Sequence, residues 1–317
     1  MIQEMKGNYP QISLVRFCRL LGVTRQSYYQ HFWHKELLSI EEELIIGKVL
    51  DIRKSHRHMG GRKLYEILQP FILEHNIKIG RDALFDLLAA NNLLVRRKKR
   101  KVSTTNSFHR YKKYPNLVRD LTPDLPDQLW VSDITYWKIR NGFVYISFIT
   151  DAYSKKIVGH HVGESMEAIE TIEALRMALS GFLKEPERHS QLTHHSDRGS
   201  QYCSDIYVQL LQHEKINISM TESGDPLENA VAERLNGIIK EEYLNDHIVD
   251  NIGQAKKILD NAVNLYNKQR PHQSIGYLTP EYVHQNKTKT EKLWKNYYKK
   301  NSNIVNPLQD LNITVNV

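Results

Sequence analysis

The chain has 317 residues, 40% hydrophobic and 25% charged, which is an ordinary globular balance with room for two or three domains. No apolar run reaches the roughly eighteen residues of a membrane span, and the first residues lack the apolar core of a secretory signal, so we expect a cytoplasmic protein. The two cysteines, Cys18 and Cys203, lie in unrelated contexts, which excludes a disulfide framework and a cysteine-based zinc site.

The net charge of +8 is unevenly distributed along the chain. Residues 1–122 carry 23 Lys and Arg against 11 Asp and Glu, whereas residues 123–317 carry 21 against 25. A basic N-terminal part indicates a polyanionic partner, because phosphate contacts are the usual use of such charge, although a solvated basic face would look the same. The acidic remainder suits a protein that holds metal ions with carboxylates.

Residues 12–33 predict two short helices around a tight turn. Gly22 suits the end of the first helix, and Thr24 can cap the second. This is the form of a helix-turn-helix, whose second helix could enter a major groove with Arg25 and Gln26 able to reach bases or phosphates. A plain helical hairpin used for packing explains the spacing equally well.

Further helices are predicted over residues 40–54, 61–73 and 81–92, the last two forming a second helix-turn-helix candidate. His56 and His58, in the motif HRHMGG, are interpreted as surface or turn histidines. A run of six basic residues follows, which is either a solvated linker or, as its position favours, a contact for DNA phosphates. These residues are Arg96, Arg97, Lys98, Lys99, Arg100 and Lys101.

The pattern changes from helical to strand-like near residue 129. Strands are predicted over 129–139, 143–150 and 156–162, then a helix over 166–182, a short strand ending at 195–197, a helix over 204–214, a strand over 217–220 and a helix over 229–244. This order predicts a mixed five-stranded α/β sheet covered by helices, the ribonuclease H topology.

The predicted domains follow from these changes in pattern. They are a helix-turn-helix-like segment (1–38), a second helical domain (39–95), a basic linker (96–122), a catalytic core (123–285) and a basic aromatic tail (286–317).

Three acids stand at informative places in this core. Asp133 lies within the first strand, where an acid is costly without a cation beside it. Asp197 ends a strand before a turn that Gly199 permits, and Glu233 begins a helix that presents Lys240 two turns later on the same face. Singly, each has an ordinary explanation as an exposed acid, a common turn or a surface helix. Together they could hold two divalent ions for an in-line phosphoryl displacement.

The motifs resemble those of retroviral integrases and of the IS-three family of insertion-sequence transposases, in the part encoded by that family's second reading frame. The resemblance rests on SDITY at 132–136, HSDRGSQY at 195–202, NAVAERLNGIIKEEY at 229–243, and the 35 residues between Asp197 and Glu233. It implies a ribonuclease H-like integrase core in which Asp133, Asp197 and Glu233 are catalytic and bind Mg²⁺, with Mn²⁺ as an alternative, while Lys240 contacts the DNA end.

The resemblance also implies partners and a reaction. The expected substrates are the element ends and a target DNA, cut and joined by a homo-oligomer. An upstream-frame helix-turn-helix protein, or a fusion to it, is a further expected partner. Two alternatives stay open: a non-catalytic DNA-binding descendant of a transposase, and a nuclease of the same fold that does not join strands.

Three secondary features also keep two interpretations. Asp151 is expected to cap a turn rather than bind metal. His195 is at least as plausible in a structural role as beside DNA. The turn Arg270-Pro271-His272 either touches DNA or packs the C-terminal segment on the core.

Overall fold

The computed structural model describes residues 1–95, 110–119, 121–182, 192–222 and 229–289. The basic run Arg96–Lys101, much of the predicted linker and nearly all of the predicted tail lie outside the described residues. Within the described part, the chain is helical up to residue 90 and mixed α/β from residue 129, which confirms the predicted change of architecture. No helix in these ranges is both long and apolar enough to cross a bilayer.

The N-terminal part contains five helices among the described residues: α1 Ile2–Asn8, α2 Leu14–Leu20, α3 Arg25–Ser55, α4 Gly61–Glu74 and α5 Arg81–Ala90. The predicted helix–turn–helix form is present between α2 and α3. Gly22 has a φ of +68°, in the left-handed region that glycine tolerates, and Thr24 Oγ1 accepts a hydrogen bond from Ser27 N at 3.0 Å. The sequence therefore identified the turn chemistry correctly, and DNA binding by this turn stays a prediction.

The separate helix predicted over residues 40–54 was wrong, because α3 is one continuous helix of 31 residues. Residues 34–39 contain neither glycine nor proline, and Lys, Glu and Leu favour helix, so nothing in the sequence ends the helix there. The helix thus runs through the predicted boundary at residues 38 and 39. Its C-terminal half packs with α4 and α5 in a cluster that includes Ile45, Val49, Leu64 and Leu84.

The second part is built on one mixed sheet. Its strands are β1 Leu129–Ile139, β2 Gly142–Asp151, β3 Ile157–Gly163, β4 Thr193–Ser196 and β5 Asn217–Met220, in the order β3-β2-β1-β4-β5. The first three pair antiparallel, β4 pairs parallel with β1, and β5 pairs parallel with β4. This is the predicted five-stranded ribonuclease H-like sheet. The helices are α6 Ala168–Phe182, α7 Ser200–Cys203, α8 Asp205–His213, α9 Ala230–Ile239, α10 Ile252–Gln269 and α11 Pro280–Asn286.

One predicted helix differs in a way that matters for the site. The helix expected over residues 229–244 ends at Ile239 and continues as a π-helical turn, Lys240–Leu244, closed by a hydrogen bond of 2.9 Å from Asn245 N to Lys240 O. A π-helical turn is uncommon and is frequently found at functional sites, because it changes which side chains share a face.

Helices cover both faces of the sheet, and alternation along β1 sends its side chains to opposite faces. Trp130 packs in the cluster formed with α6 and α8, whereas Trp137 packs in the cluster formed with α9 and α10. Asp133 has the same parity as Trp137 and so belongs to the face covered by α9. Because β4 pairs with β1 only from Leu129 to Ser132, Asp133 is the first β1 residue beyond the parallel pairing. The sheet thus opens at this carboxylate.

Helix α6 lies close to β3 at Gly159, so a larger side chain at this position should destabilise the fold. A Cβ added there would lie 2.2 Å from Ala174 O and 3.0 Å from Ala178 N, so Gly159→Ala forces the helix away from the strand. We expect a loss of about 1–3 kcal/mol in the free energy of unfolding, measured by urea denaturation. The control is Gly181→Ala near the end of α6, where an added Cβ meets nothing within 4 Å. Equal stability of the two variants would contradict this packing.

Candidate active site

Asp133 is held in one orientation by two donors. Its Oδ1 accepts from Ile134 N at 2.9 Å, and its Oδ2 accepts from Asn236 Nδ2 on α9 at 2.7 Å. One donor comes from the adjacent backbone and the other from a helix more than a hundred residues away. The fold therefore fixes this carboxylate at the point where β4 leaves β1.

Asp197 directly follows β4, and its Oδ1 accepts from Gly199 N at 2.9 Å. A Cβ at Gly199 would lie 3.0 Å from this Oδ1 and 2.8 Å from Gln201 Oε1. The sequence predicted that glycine is needed here for a sharp turn. Its φ of −63° is open to any residue, so the reason for glycine is the close approach of two side-chain oxygens.

Helix α9 lies along β1 and carries the third acid. Asn229 Nδ2 donates to Ser132 O at 3.0 Å, and Lys240 Nζ donates to Thr135 Oγ1 at 3.2 Å. These contacts, with that of Asn236, confirm that the polar residues predicted to share a helix face do so. Glu233 lies in the first turn of α9 between these anchors, and its side chain is exposed.

The charges of the three acids interact. Burial, followed by the negative charges of Asp197 and Glu233, raises the pKa of Asp133 to about 7, although the hydrogen bonds from Ile134 N and Asn236 oppose the shift. The structure therefore brings the three predicted acids into one neighbourhood of excess negative charge. Among the described residues, the ligand atoms of these three acids do not all lie within 4.8 Å of one another. Mutual repulsion of three like charges opposes such a close approach.

Lys240 makes a contact with Tyr136 that the sequence did not predict. Its ammonium lies 4.3 Å from the centre of the Tyr136 ring, an attractive arrangement of a cation over an aromatic face, and burial lowers its pKa. Period-two spacing on β1 could have indicated that Thr135 lies beside Asp133. No local pattern indicates that Lys240 reaches Tyr136.

A cleft of about 650 Å³ opens beside the carboxylates. The acids that line it are Asp133, Glu167 and Asp197, and residues that follow β4 line it as well. Its lining also includes apolar and aromatic side chains, which are Ile134, Tyr136, Phe143, Tyr145 and Met166.

A second cluster has metal-ligand spacing: Asp127, Asp151 and His284 present ligand atoms within 4.8 Å of one another. Their atoms are already engaged. Asp151 Oδ1 accepts from Ser154 N at 2.6 Å and Oδ2 accepts from Asp127 N at 2.8 Å, while His284 Nδ1 lies 3.1 Å from Ser154 Oγ. These bonds confirm the predicted turn-capping role of Asp151. The cluster joins the start of the core, the β2–β3 turn and α11.

The other residues predicted from the sequence lie outside both the cleft and the second cluster. Arg25 and Gln26 are exposed in the first turn of α3, as groove-contacting residues would be. Arg96–Lys101 are outside the described residues. His195 is buried, with its Nδ1 2.8 Å from Ser219 Oγ on β5, which favours the structural role. His56, interpreted as a surface or turn histidine, follows α3 in a turn but is buried, because it packs on Tyr243.

Two family models described as integrase core domain match residues 123–226 and 214–280, which together contain all three acids. A protein of insertion element IS600 from Shigella sonnei, described as an uncharacterized 31 kDa protein, is 33% identical over 268 residues, which are 83% of this chain and 95% of that protein. The transposase for insertion sequence element IS629 from Shigella sonnei is 33% identical over 235 residues, 74% of this chain and 76% of that protein.

A solved structure is also similar to part of this chain. The catalytic core domain of HTLV-2 integrase in complex with magnesium, in its dimeric form, is similar with a TM-score of 0.40 and 20% identity, covering 50% of this chain and 97% of that one. The relatives of one-third identity are matched over three quarters or more of their length. The chain therefore belongs to the insertion-sequence transposases that carry an integrase core domain.

Proposed function

We propose that this protein is a DDE transposase, which cuts the ends of an insertion sequence and joins them to target DNA by metal-dependent in-line phosphoryl transfer. One observation carries the proposal: a strand, a turn and a helix bring Asp133, Asp197 and Glu233 near one another, with Asp133 and Asp197 lining an open cleft. Burial, and then the charges of Asp197 and Glu233, raise the pKa of Asp133 to about 7. Membership in the transposase family supports the same reaction.

The donor set fits a hard divalent cation. All three predicted ligands are carboxylates, which suit Mg²⁺ and also Mn²⁺, and the raised pKa of Asp133 marks negative charge that a cation would offset. We propose that Asp133, Asp197 and Glu233 hold two such ions. When bound, ions at such a site offset the charge that develops on the phosphoryl oxygens during an in-line displacement.

The chain's own residues orient these ligands and the DNA. Asn236 and the Ile134 amide hold Asp133, and the Gly199 amide holds Asp197, so that two ligands are set before any cation binds. Lys240, at the end of the same helix face, is placed to contact a phosphate of the DNA end. The apolar and aromatic side chains of the cleft would keep bulk water from one side of a phosphate bound there.

The proposed substrates are the element's own ends and a target duplex. We propose that Arg25 and Gln26 in α3, and the basic run Arg96–Lys101, bind the element ends through phosphates and bases. A homo-oligomer would hold two ends together, with or without an upstream-frame helix-turn-helix protein or a fusion to it. The reaction would take place in the cytoplasm, where such DNA is found.

The catalytic assignment is tested by strand transfer on element-end DNA in Mg²⁺. We expect Asp133→Asn and Glu233→Gln each to lower the rates of cutting and joining by at least about 1,000-fold, because a lost ligand removes the metal-based stabilisation of the transition state. The matched control is Glu241→Gln, which changes another exposed carboxylate a few residues beyond α9.

The DNA products distinguish a transposase from a nuclease and from a non-catalytic DNA-binding protein. Joining by Asp133→Asn at the wild-type rate would contradict the assignment. Cutting without joining by the wild-type protein would identify a nuclease, and binding without cutting would identify a non-catalytic relative.

The pKa of Asp133 predicts a pH dependence of stability in EDTA. Because folding raises this pKa from 3.8 to about 7, the folded chain keeps a proton that the unfolded chain has lost, so stability falls as pH rises through this window. Asp133→Asn has no carboxyl group at this position, so its stability does not fall in this pH window. It should be more stable than wild type by about 1–3 kcal/mol at pH 8, but not near pH 3. Urea denaturation at both pH values measures the difference; parallel pH profiles would contradict the burial and repulsion at Asp133.

The proposed phosphate contact of Lys240 predicts that its replacement weakens DNA binding. Lys240→Ala should weaken binding of element-end DNA and reduce the slope of log affinity against log salt by about 1, because one phosphate contact is lost. Lys138→Ala, an exposed lysine on the same β1 strand, is the control. Fluorescence anisotropy at several salt concentrations measures both, and equal slopes for wild type and Lys240→Ala would remove Lys240 from the DNA contact.

A further inference from the structure

Two sequence motifs that the proposed function does not use meet at one place. HRHMGG lies between α3 and α4, and Arg270-Pro271-His272 follows α10. Both contact the segment that begins with the π-helical turn Lys240–Leu244, directly after α9. This segment therefore touches the N-terminal helices on one side and continues the helix that carries Glu233 on the other.

Glu242 is the centre of these contacts. Its Oε2 accepts from Arg270 Nε at 2.7 Å, and its Oε1 accepts from Arg270 Nη2 at 2.7 Å and from Lys63 Nζ at 3.0 Å. The Arg270 side chain is 1% exposed, that of Glu242 13% and that of Lys63 19%. Burial alone would raise the pKa of Glu242, but the hydrogen bonds and charges of Arg270 and Lys63 outweigh it and bring the pKa to about 2. The carboxylate is thus ionised throughout the neutral range.

Two histidines extend the same surface. His56 Nδ1 lies 3.0 Å from the hydroxyl of Tyr243, and His58 Nε2 pairs with Asp246 Oδ2. We call the whole set the docking interface. It comprises His56, His58 and Lys63 from the helical part, and Glu242, Tyr243, Asp246 and Arg270 from the core.

The π-helical turn explains how one short segment serves both neighbours. Lys240 reaches Thr135 and Tyr136 on β1, while Glu242 and Tyr243, two and three residues later, reach α4 and the end of α3. Any shift of the helical part against the core must therefore act on the segment that ends the α9 helix.

From this geometry we propose that the docking interface sets the position of the helical part relative to the carboxylates, and so selects which phosphate of a bound DNA end is cut. This rests on the proposed function. Lys63, Glu242 and Arg270 act here as positioning residues. A buried ion pair adds little net stability compared with apolar packing, but its hydrogen bonds satisfy only one relative placement of the two parts.

Lys63 gives the clearest test, because Lys63→Met leaves both partners of the Glu242–Arg270 pair in place. Lys63→Arg is the conservative rescue. Arg62→Met is the matched control, since it removes the same charge from an exposed neighbour on the same helical turn. Full-length proteins are compared on a labelled duplex carrying the inverted repeat that flanks the gene, for affinity at several salt concentrations, for cutting rate in Mg²⁺ at saturating DNA, and for the position of each cut.

We expect Lys63→Met to bind the duplex with an unchanged salt slope, yet to cut it roughly 10- to 100-fold more slowly and at several neighbouring positions, because small misplacement of a reacting group has effects of this size. Lys63→Arg should restore the single position, and Arg62→Met should cut at the wild-type rate. Thermal unfolding of each variant checks that the fold is retained. His58→Ala, which removes the imidazole that contacts Asp246, repeats the test independently.

Two outcomes would overturn the proposal. One is wild-type rate and position for both Lys63→Met and His58→Ala. The other is a loss of affinity with a salt slope reduced by about 1 and no change at saturation, which would make Lys63 a phosphate contact. Absence of cutting by the wild-type protein would instead contradict the proposed function.

Discussion

The catalytic core is arranged around one carboxylate, Asp133, which is half-buried beside two other acids. Ionised Asp133 is costly in packed surroundings unless donors or cations face it, and Asp197 and Glu233 increase that cost. The sheet meets this constraint by ending the pairing of β4 with β1 at Ser132, which opens a cleft at Asp133. Helix α9 then lies close enough to β1 for Asn236 to donate to the carboxylate. A site that concentrates negative charge in this way is suited to divalent cations.

The local sequence pattern was sufficient to predict most strands and helices of the core. A segment rich in Trp, Val, Ile and Tyr predicted β1 at its observed limits. Helical periodicity placed Lys240 on the face of α9 that contacts β1. The three acids were identified because each occupies a distinct element of one recognisable topology. That they lie near one another is a property of that topology rather than of any one motif.

Helix α3 is one element where two helices are predicted, and local pattern could have indicated its continuity, because the residues between the two predicted helices favour helix. Contacts between distant segments, by contrast, could not be predicted from local pattern. The docking interface pairs Lys63 with Glu242, which are 179 residues apart, and no spacing rule reaches that far. Asp127, Asp151 and His284 were brought together by the ends of three elements in the same way. Such contacts are set by how elements pack, which one sequence does not specify.

The central claim is that the cation site lies at Asp133, Asp197 and Glu233. Anomalous scattering from crystals of the full-length protein soaked in Mn²⁺ tests it most directly, because it locates the ion without reference to activity. The account predicts anomalous density between Asp133 and Asp197 on the side facing Glu233, and its loss in Asp133→Asn. Density at Asp127, Asp151 and His284 alone would contradict it, since that cluster would then be the cation site.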